Sequence, residues 1–238
     1  MAGVETPFVL HGGCGCHAIR YRISVPALKD RPNCFYDMSY DPKSGKEPKY
    51  RFPFTCLDHC NDCRTHTGSM VNYWIIQPIE WCEYSCADPD DDPHRASGPS
   101  SGPGEAFESP EAREKAEAKR KWFKAEDVAL APTTLHYGKS PLPFLSFWAS
   151  SPGHCVRTFC NRCGTSLSYT AHGVLPPGWT LKPIDFQLGT LDRDDLQRYR
   201  CIIPKEQLWG GMAVDWAKDM AMGKSEMSLR SGYRLDEP

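Results

Sequence analysis

No apolar run in this chain approaches the roughly 20 residues that span a bilayer. Nor does the stretch from Met1 to Leu10 hold a basic segment followed by an apolar one, so no secretory signal is expected and the expected location is cytoplasmic. Excess charge is missing too: the formal net charge is only -2. A protein that grips phosphate concentrates Lys and Arg, so neither nucleic acid nor an acidic membrane is an expected partner. No internal repeat runs through the sequence, which sets solenoid folds aside.

What the sequence does have is the make-up of an ordinary globular protein. Its 238 residues are 40% hydrophobic and 24% charged, enough to bury a core without staples. With 19 glycines and 21 prolines, turns should be plentiful and long helices few. Twelve cysteines are many for a chain expected in a reducing compartment. Six of them form the tight pairs Cys14/Cys16, Cys60/Cys63 and Cys160/Cys163. Cys82 and Cys86 make a looser pair, and Cys34, Cys56, Cys155 and Cys201 stand alone. Clustering of this kind points to metal or redox chemistry rather than to disulfides.

Strand signals recur along the chain. Residues 18 to 25 alternate, with Ile19, Tyr21, Ile23 and Val25 on one face and Arg20, Arg22 and Ser24 on the other, which predicts a half-buried strand. Further strands are predicted over 71–76, 144–150, 155–159, 166–170 and 184–188, and a Ser-Pro-Gly turn at residues 151–153 joins the second and third of these. Many short strands with Gly and Pro turns indicate a mainly β, antiparallel architecture in a single domain spanning 1–238.

The stretch 82–132 reads as an insertion into that domain. Residues 87–106 are rich in Asp, Pro, Ser and Gly and predict a loop. Ser109-Pro110-Glu111 marks a helix start, with Glu111/Lys115 and Glu117/Lys121 as i,i+4 pairs and Trp122 and Phe123 available for docking. The plain expectation for such a helix is a solvated charged face with no chemical role. From Ala221 to Pro238 the chain is polar and predicts an extended tail.

The cysteine pairs carry the chemistry. Zinc takes four ligands in a tetrahedron, and two cysteines one or two residues apart reach one ion from a single tight turn. Gly12, Gly13 and Gly15 frame the first pair and Gly164 follows the third. Two such pairs predict one closed, structural site of Cys14, Cys16, Cys160 and Cys163 that ties the two halves of the chain together. The middle pair lies in Asp58-His59-Cys60-Asn61-Asp62-Cys63-Arg64-Thr65-His66. It brings Cys60 and Cys63 together with further candidate ligands: Cys56, Asp58, His59 and His66. Two thiolates and one neighbour would leave a fourth position open, as catalytic zinc sites do; a second structural site or a redox pair is the alternative.

In order, the motifs GGCxC (Gly12 to Cys16), xHCxxCRxxTGS (Asp58 to Ser69), RxFCxxCGTxLxY (Arg157 to Tyr169) and GTLD (Gly189 to Asp192) resemble those of the glutathione-dependent formaldehyde-activating enzyme and centromere protein V family. The resemblance spans roughly 10–81 and 133–216. It implies an Mss4-like fold of small antiparallel sheets, with the structural zinc on Cys14, Cys16, Cys160 and Cys163. It also implies a second, catalytic zinc on a CxCxxC segment, with carbon–sulfur lyase-type chemistry on a glutathione adduct and glutathione as co-substrate. The first cysteine of that segment falls on Asp58 here, so the expected ligands are Asp58, Cys60 and Cys63. A carboxylate is a harder ligand than a thiolate, leaves zinc more electrophilic, and can also act as a general acid or base.

Three functions compete at this point. One is a zinc-dependent lyase acting on a small-molecule thiol adduct, with Arg64 holding a carboxylate and His66 shuttling protons beside Asp58. The second keeps the scaffold and acts as lyase, dehydratase or isomerase on an aromatic or polyketide-like metabolite. The third is a non-catalytic zinc module that binds a protein partner.

Overall fold

The computed structural model describes residues 5–34, 50–89, 110–129, 137–139, 142–151, 155–171, 181–204 and 206–224. Its core lies between two sheets. The smaller has strand order β1-β2-β5-β6, from β1 (Phe8–Gly13), β2 (Ile19–Val25), β5 (Cys82–Cys86) and β6 (Phe123–Lys124). The larger has order β12-β3-β4-β11-β10-β9-β8-β7. Its strands are β3 (Phe54–Asp58), β4 (Asn72–Pro78), β7 (Tyr137–Lys139), β8 (Leu145–Ser151), β9 (Cys155–Cys160), β10 (Ser166–Ala171), β11 (Pro183–Gln187) and β12 (Glu206–Leu208). All neighbours pair antiparallel except β12, which runs parallel to β3 and makes the larger sheet mixed. The fold is therefore mainly β, as the alternation and turns predicted. The helices α1 (Asn61–Thr67), α2 (Pro110–Ala118), α3 (Ala125–Ala129), α4 (Arg193–Arg198) and α5 (Asp215–Ala221) are all short.

Register decides what each face of the larger sheet does, because residues opposite one another in an antiparallel pair share a face. Leu145, Cys160, Ile184, Phe186 and Ile75 face the smaller sheet and join Ile19, Tyr21, Ile23 and Tyr84 in the main core. Tyr21 stacks on Phe186 at 4.0 Å between centroids, and Tyr84 hydrogen-bonds Ser168 at 2.9 Å. An aromatic contact of this kind adds about 0.5–1.5 kcal/mol beyond the area it buries. The opposite, outer face carries one continuous row: Trp148 opposes Arg157, Arg157 opposes Tyr169, Tyr169 opposes Asp185, and Asp185 opposes Ile76.

Several expectations are narrowed. Cys82–Cys86 is a strand paired along β2, and Phe123–Lys124 pairs with β5. Ala125, Val128 and Ala129 of α3 are buried in the main core. The insertion read as 82–132 is thus built into the smaller sheet at both ends, because its apolar residues supply faces that the sheet needs; 90–109 and 130–132 lie outside the described residues, as does the Ser109 cap. Strand β2 buries its apolar face while Arg22 and Ser24 keep some exposure, as expected, but Arg20 departs from that pattern. Arg20, placed on its polar face, is 2% exposed and makes paired bonds of 2.8 and 2.6 Å to Asp192. Helix α2 ends at Ala118, before Lys121. Its Glu117 turns instead to Arg20 and His11, each at 3.5 Å, so this charged helix covers the outer face of the smaller sheet. Helix α5 continues to Ala221, where the extended tail was expected to begin, and residues 225–238 lie outside the described residues. The turn at Pro152 and Gly153 also lies outside them.

Candidate metal centres

Among the described residues, two groups of side chains bring three or more ligand atoms within 4.8 Å of one another: Cys14, Cys16, Cys160 and Cys163, and Asp58, Cys60 and Cys63. They sit on opposite faces of the larger sheet.

The first group belongs to the core face. Cys14 follows β1 in a turn closed by hydrogen bonds from His17 N–H to the Cys14 carbonyl (3.0 Å) and from Cys14 N–H to the Ile19 carbonyl (3.1 Å). Cys160 ends β9 in a matching turn, closed by Gly164 N–H to the Cys160 carbonyl (2.9 Å), with Gly164 at a φ of 77°. The Gly15 N–H donates to the Thr165 hydroxyl and clasps the two turns (3.1 Å). Gly12 and Gly13 serve close approach rather than a left-handed backbone. A Cβ at Gly12 would run into the Tyr21 ring and the Thr190 carbonyl, and one at Gly13 into the Ile19 carbonyl.

Sulfur geometry fits a tetrahedral ion. Cys14 and Cys16 sulfurs are 3.5 Å apart, and Cys16 and Cys160 sulfurs 3.8 Å. Zinc–sulfur bonds of about 2.3 Å in a tetrahedron give edges of about 3.8 Å. None of the four cysteines is in a disulfide. The Ile19 N–H points at Cys14 sulfur at 3.2 Å. A hydrogen bond from Cys14, ahead of backbone N–H groups of Cys163 and Arg162, holds the Cys160 thiol down at about 5, against the effect of burial. That same bond, then burial, then the Cys160 charge, push Cys14 far up, and burial raises Cys16 to about 11. Thiols this close cannot all ionise unless a cation offsets their charge, so the cluster could hold a metal ion such as zinc.

The second group is built on the outer face. Asp58 ends β3, Cys60 caps α1, and Cys63 is the buried residue of that helix. Asp58 is 6% exposed and oriented at both oxygens: Oδ1 accepts the Cys60 N–H at 2.7 Å and Oδ2 accepts the Trp74 indole N–H at 2.9 Å. Each oxygen keeps a lone pair for a cation. Arg157 donates to Cys63 sulfur from Nη2 at 3.4 Å and lies over the Tyr169 ring at 4.8 Å. Burial, ahead of the Asp58 charge, pushes the Cys63 thiol up, while Arg157 opposes the shift. Burial, ahead of the Asp58 charge, pushes Asp185 well above the ordinary carboxylate range, while Arg157 opposes the shift. These residues fit a metal ion: three donors of mixed hardness, held by N–H groups that orient them.

The remaining sequence candidates separate. Cys56 is fully buried in an apolar cluster with Phe54 and Trp74, burial pushes its thiol far up, and it is not in the ligand group. His59 is also outside the group; its Nε2 meets Gln207 Oε1 at 2.9 Å. His66 is no ligand but stacks on Trp148 with centroids 4.8 Å apart and planes 12° from parallel. Burial, then the Arg157 charge, lower its pKa. With Asp62, Thr65, Trp148 and Ser150 it lines a pocket of about 270 Å³; Arg64 does not line it. Arg157, Tyr169, Trp148 and Asp185 were not singled out from sequence. The first two lie inside a quoted motif, but only the strand register brings the four together.

No family model and no curated protein matches the chain. Among the described residues, no helix is long and apolar enough to cross a membrane.

Proposed function

We propose that this chain is a two-zinc, lyase-like enzyme of the glutathione-dependent formaldehyde-activating type, with an Mss4-like scaffold and a small-molecule substrate. The observation that carries the proposal is the difference in ligand number: four thiols at one centre, but only Asp58, Cys60 and Cys63 at the other, beside a pocket. Cys14, Cys16, Cys160 and Cys163 would hold a saturated structural ion. When bound at Asp58, Cys60 and Cys63, zinc supplies Lewis acidity toward a carbonyl, hydroxyl or thiolate at its open position.

The chain's own groups then do the rest. Trp74 and the Cys60 N–H fix the Asp58 carboxylate, so its orientation does not depend on the substrate. Arg157 balances the negative charge at Cys63 in a buried setting. His66, held low and flat against Trp148, is neutral near pH 7 and able to accept a proton from a group in the pocket. Asp185 opposes Tyr169 on the same face, and burial favours the neutral form of its carboxyl. A cytoplasmic setting accords with twelve cysteines kept as thiols and metal ligands.

Zinc analysis of the purified protein tests the reading. It should find two ions per chain, and Asp58→Ala should retain one, stay folded, and lose lyase turnover by about a hundredfold or more. One ion in the unaltered protein would refute the open centre.

A further inference from the structure

The pocket between α1 and β8 carries more information than its position. Two of its residues, Asp62 and His66, flank Cys63 on α1, so pocket and second centre share one short helix. Trp148 and Ser150 reach it from alternate positions of β8 on the outer face. Its wall is the His66–Trp148 pair, two rings nearly parallel and in contact. Besides the ring nitrogens of that pair, its polar groups are the Thr65 and Ser150 hydroxyls and the Asp62 carboxylate. The Thr65 hydroxyl already donates to the carbonyls of Asn61 (3.0 Å) and Asp62 (3.3 Å), so toward a ligand it acts as an acceptor.

The charge of the lining is one-sided. Asp62 is exposed and is the one formally charged residue among the five that line the pocket. The nearest cation by register is Arg157, which opposes Trp148, is 3% exposed and is turned to Cys63 and Tyr169. Glutathione and its adducts carry two carboxylates. Among the described lining residues they would meet an acid and no guanidinium or ammonium, which costs affinity. About 270 Å³ is also just below the usual range of small-molecule sites, about 300–1,000 Å³.

From these observations we infer that the pocket selects a flat, uncharged, hydroxylated ring compound, packed against the His66–Trp148 pair and donating its hydroxyl hydrogens to Asp62 and Thr65. The inference rests on the reading of Asp58, Cys60 and Cys63 as a metal centre only for what happens to that compound, not for its binding. It selects the ring-metabolite class of substrate over the thiol adduct.

Titration calorimetry of the full chain with naphthoresorcinol, a neutral dihydroxylated ring pair, against S-methylglutathione separates the two classes, with zinc content measured on every sample. Naphthoresorcinol should bind saturably, and Trp148→Leu should weaken it about tenfold or more with zinc content unchanged. Asp62 is exposed, so Asp62→Asn is a variant that folds regardless. It should weaken naphthoresorcinol about threefold or more while improving S-methylglutathione. The inference is overturned if naphthoresorcinol shows no saturable binding, if neither variant changes its affinity, or if S-methylglutathione is the tighter ligand. Binding that follows these rules in protein with one zinc per chain would leave the pocket assigned and refute the metal reading alone.

Discussion

The two faces of the larger sheet differ in how their cysteines are held. On the core face, four thiols come from two turns about 145 residues apart in sequence, are clasped through Gly15 and Thr165, and complete a tetrahedron by themselves. On the outer face, three ligands come from six consecutive residues, and the groups around them are side chains: Trp74, Arg157, Asp185 and His66. A saturated site joining distant segments contributes to folding. An unsaturated site on one local segment contributes little to chain closure and keeps a position for a ligand. On the proposed reading, the same residue type plays structural and chemical parts, and the partition follows the side of the larger sheet on which each ligand group lies.

The contrast can be broken most severely on the core face. Cys160→Ser removes a ligand from the cage, and structural zinc sites supply apparent binding energies of about 10–16 kcal/mol. Thermal unfolding followed by circular dichroism should show loss of the cooperative transition, with both ions released. Asp192→Ala should come next. It removes the doubly bonded carboxylate from the buried Arg20 guanidinium, with Glu117 still at 3.5 Å, and should cost up to about 3–5 kcal/mol, read from denaturant midpoints. Zinc content should stay at two, because neither Arg20 nor Asp192 belongs to a ligand group.

Arg157→Met acts on the outer face and should be the mildest of the three. It removes the N–H donor to Cys63 and should weaken the second zinc about 10- to 100-fold while leaving the first in place. Competition with a chromophoric chelator reads the two affinities separately. An equal loss at both centres would erase the distinction between the faces.

Legibility from sequence followed the length scale of each feature. The cage was readable because each pair is a local turn with glycine beside it, and the chemistry of zinc supplies the rule for joining them. Cys60 and Cys63 were readable as a local pair, but Cys56, Asp58, His59 and His66 all lie near enough to join them, and only the family resemblance singled out Asp58. The row Trp148, Arg157, Tyr169 and Asp185 was not, since it depends on register across β8, β9, β10 and β11, which no local pattern specifies. Glu117 was assigned to Lys121 on helix spacing alone. Instead, the helix ends at Ala118, and the buried Arg20 offers a stronger partner than an exposed lysine. Strand β5 was hidden by the polar segment that follows it, which drew 82–86 into the insertion.

The central claim is that one centre is saturated by thiolates and the other is not, and zinc X-ray absorption tests it most directly. The account predicts two ions per chain sharing the six sulfurs and one carboxylate of the two ligand groups, so a first shell of mixed sulfur and oxygen. In Asp58→Ala the single remaining ion should then show an all-sulfur shell. If the unaltered protein already shows one ion with an all-sulfur shell, identical to that variant, the outer face holds no metal centre and the account fails.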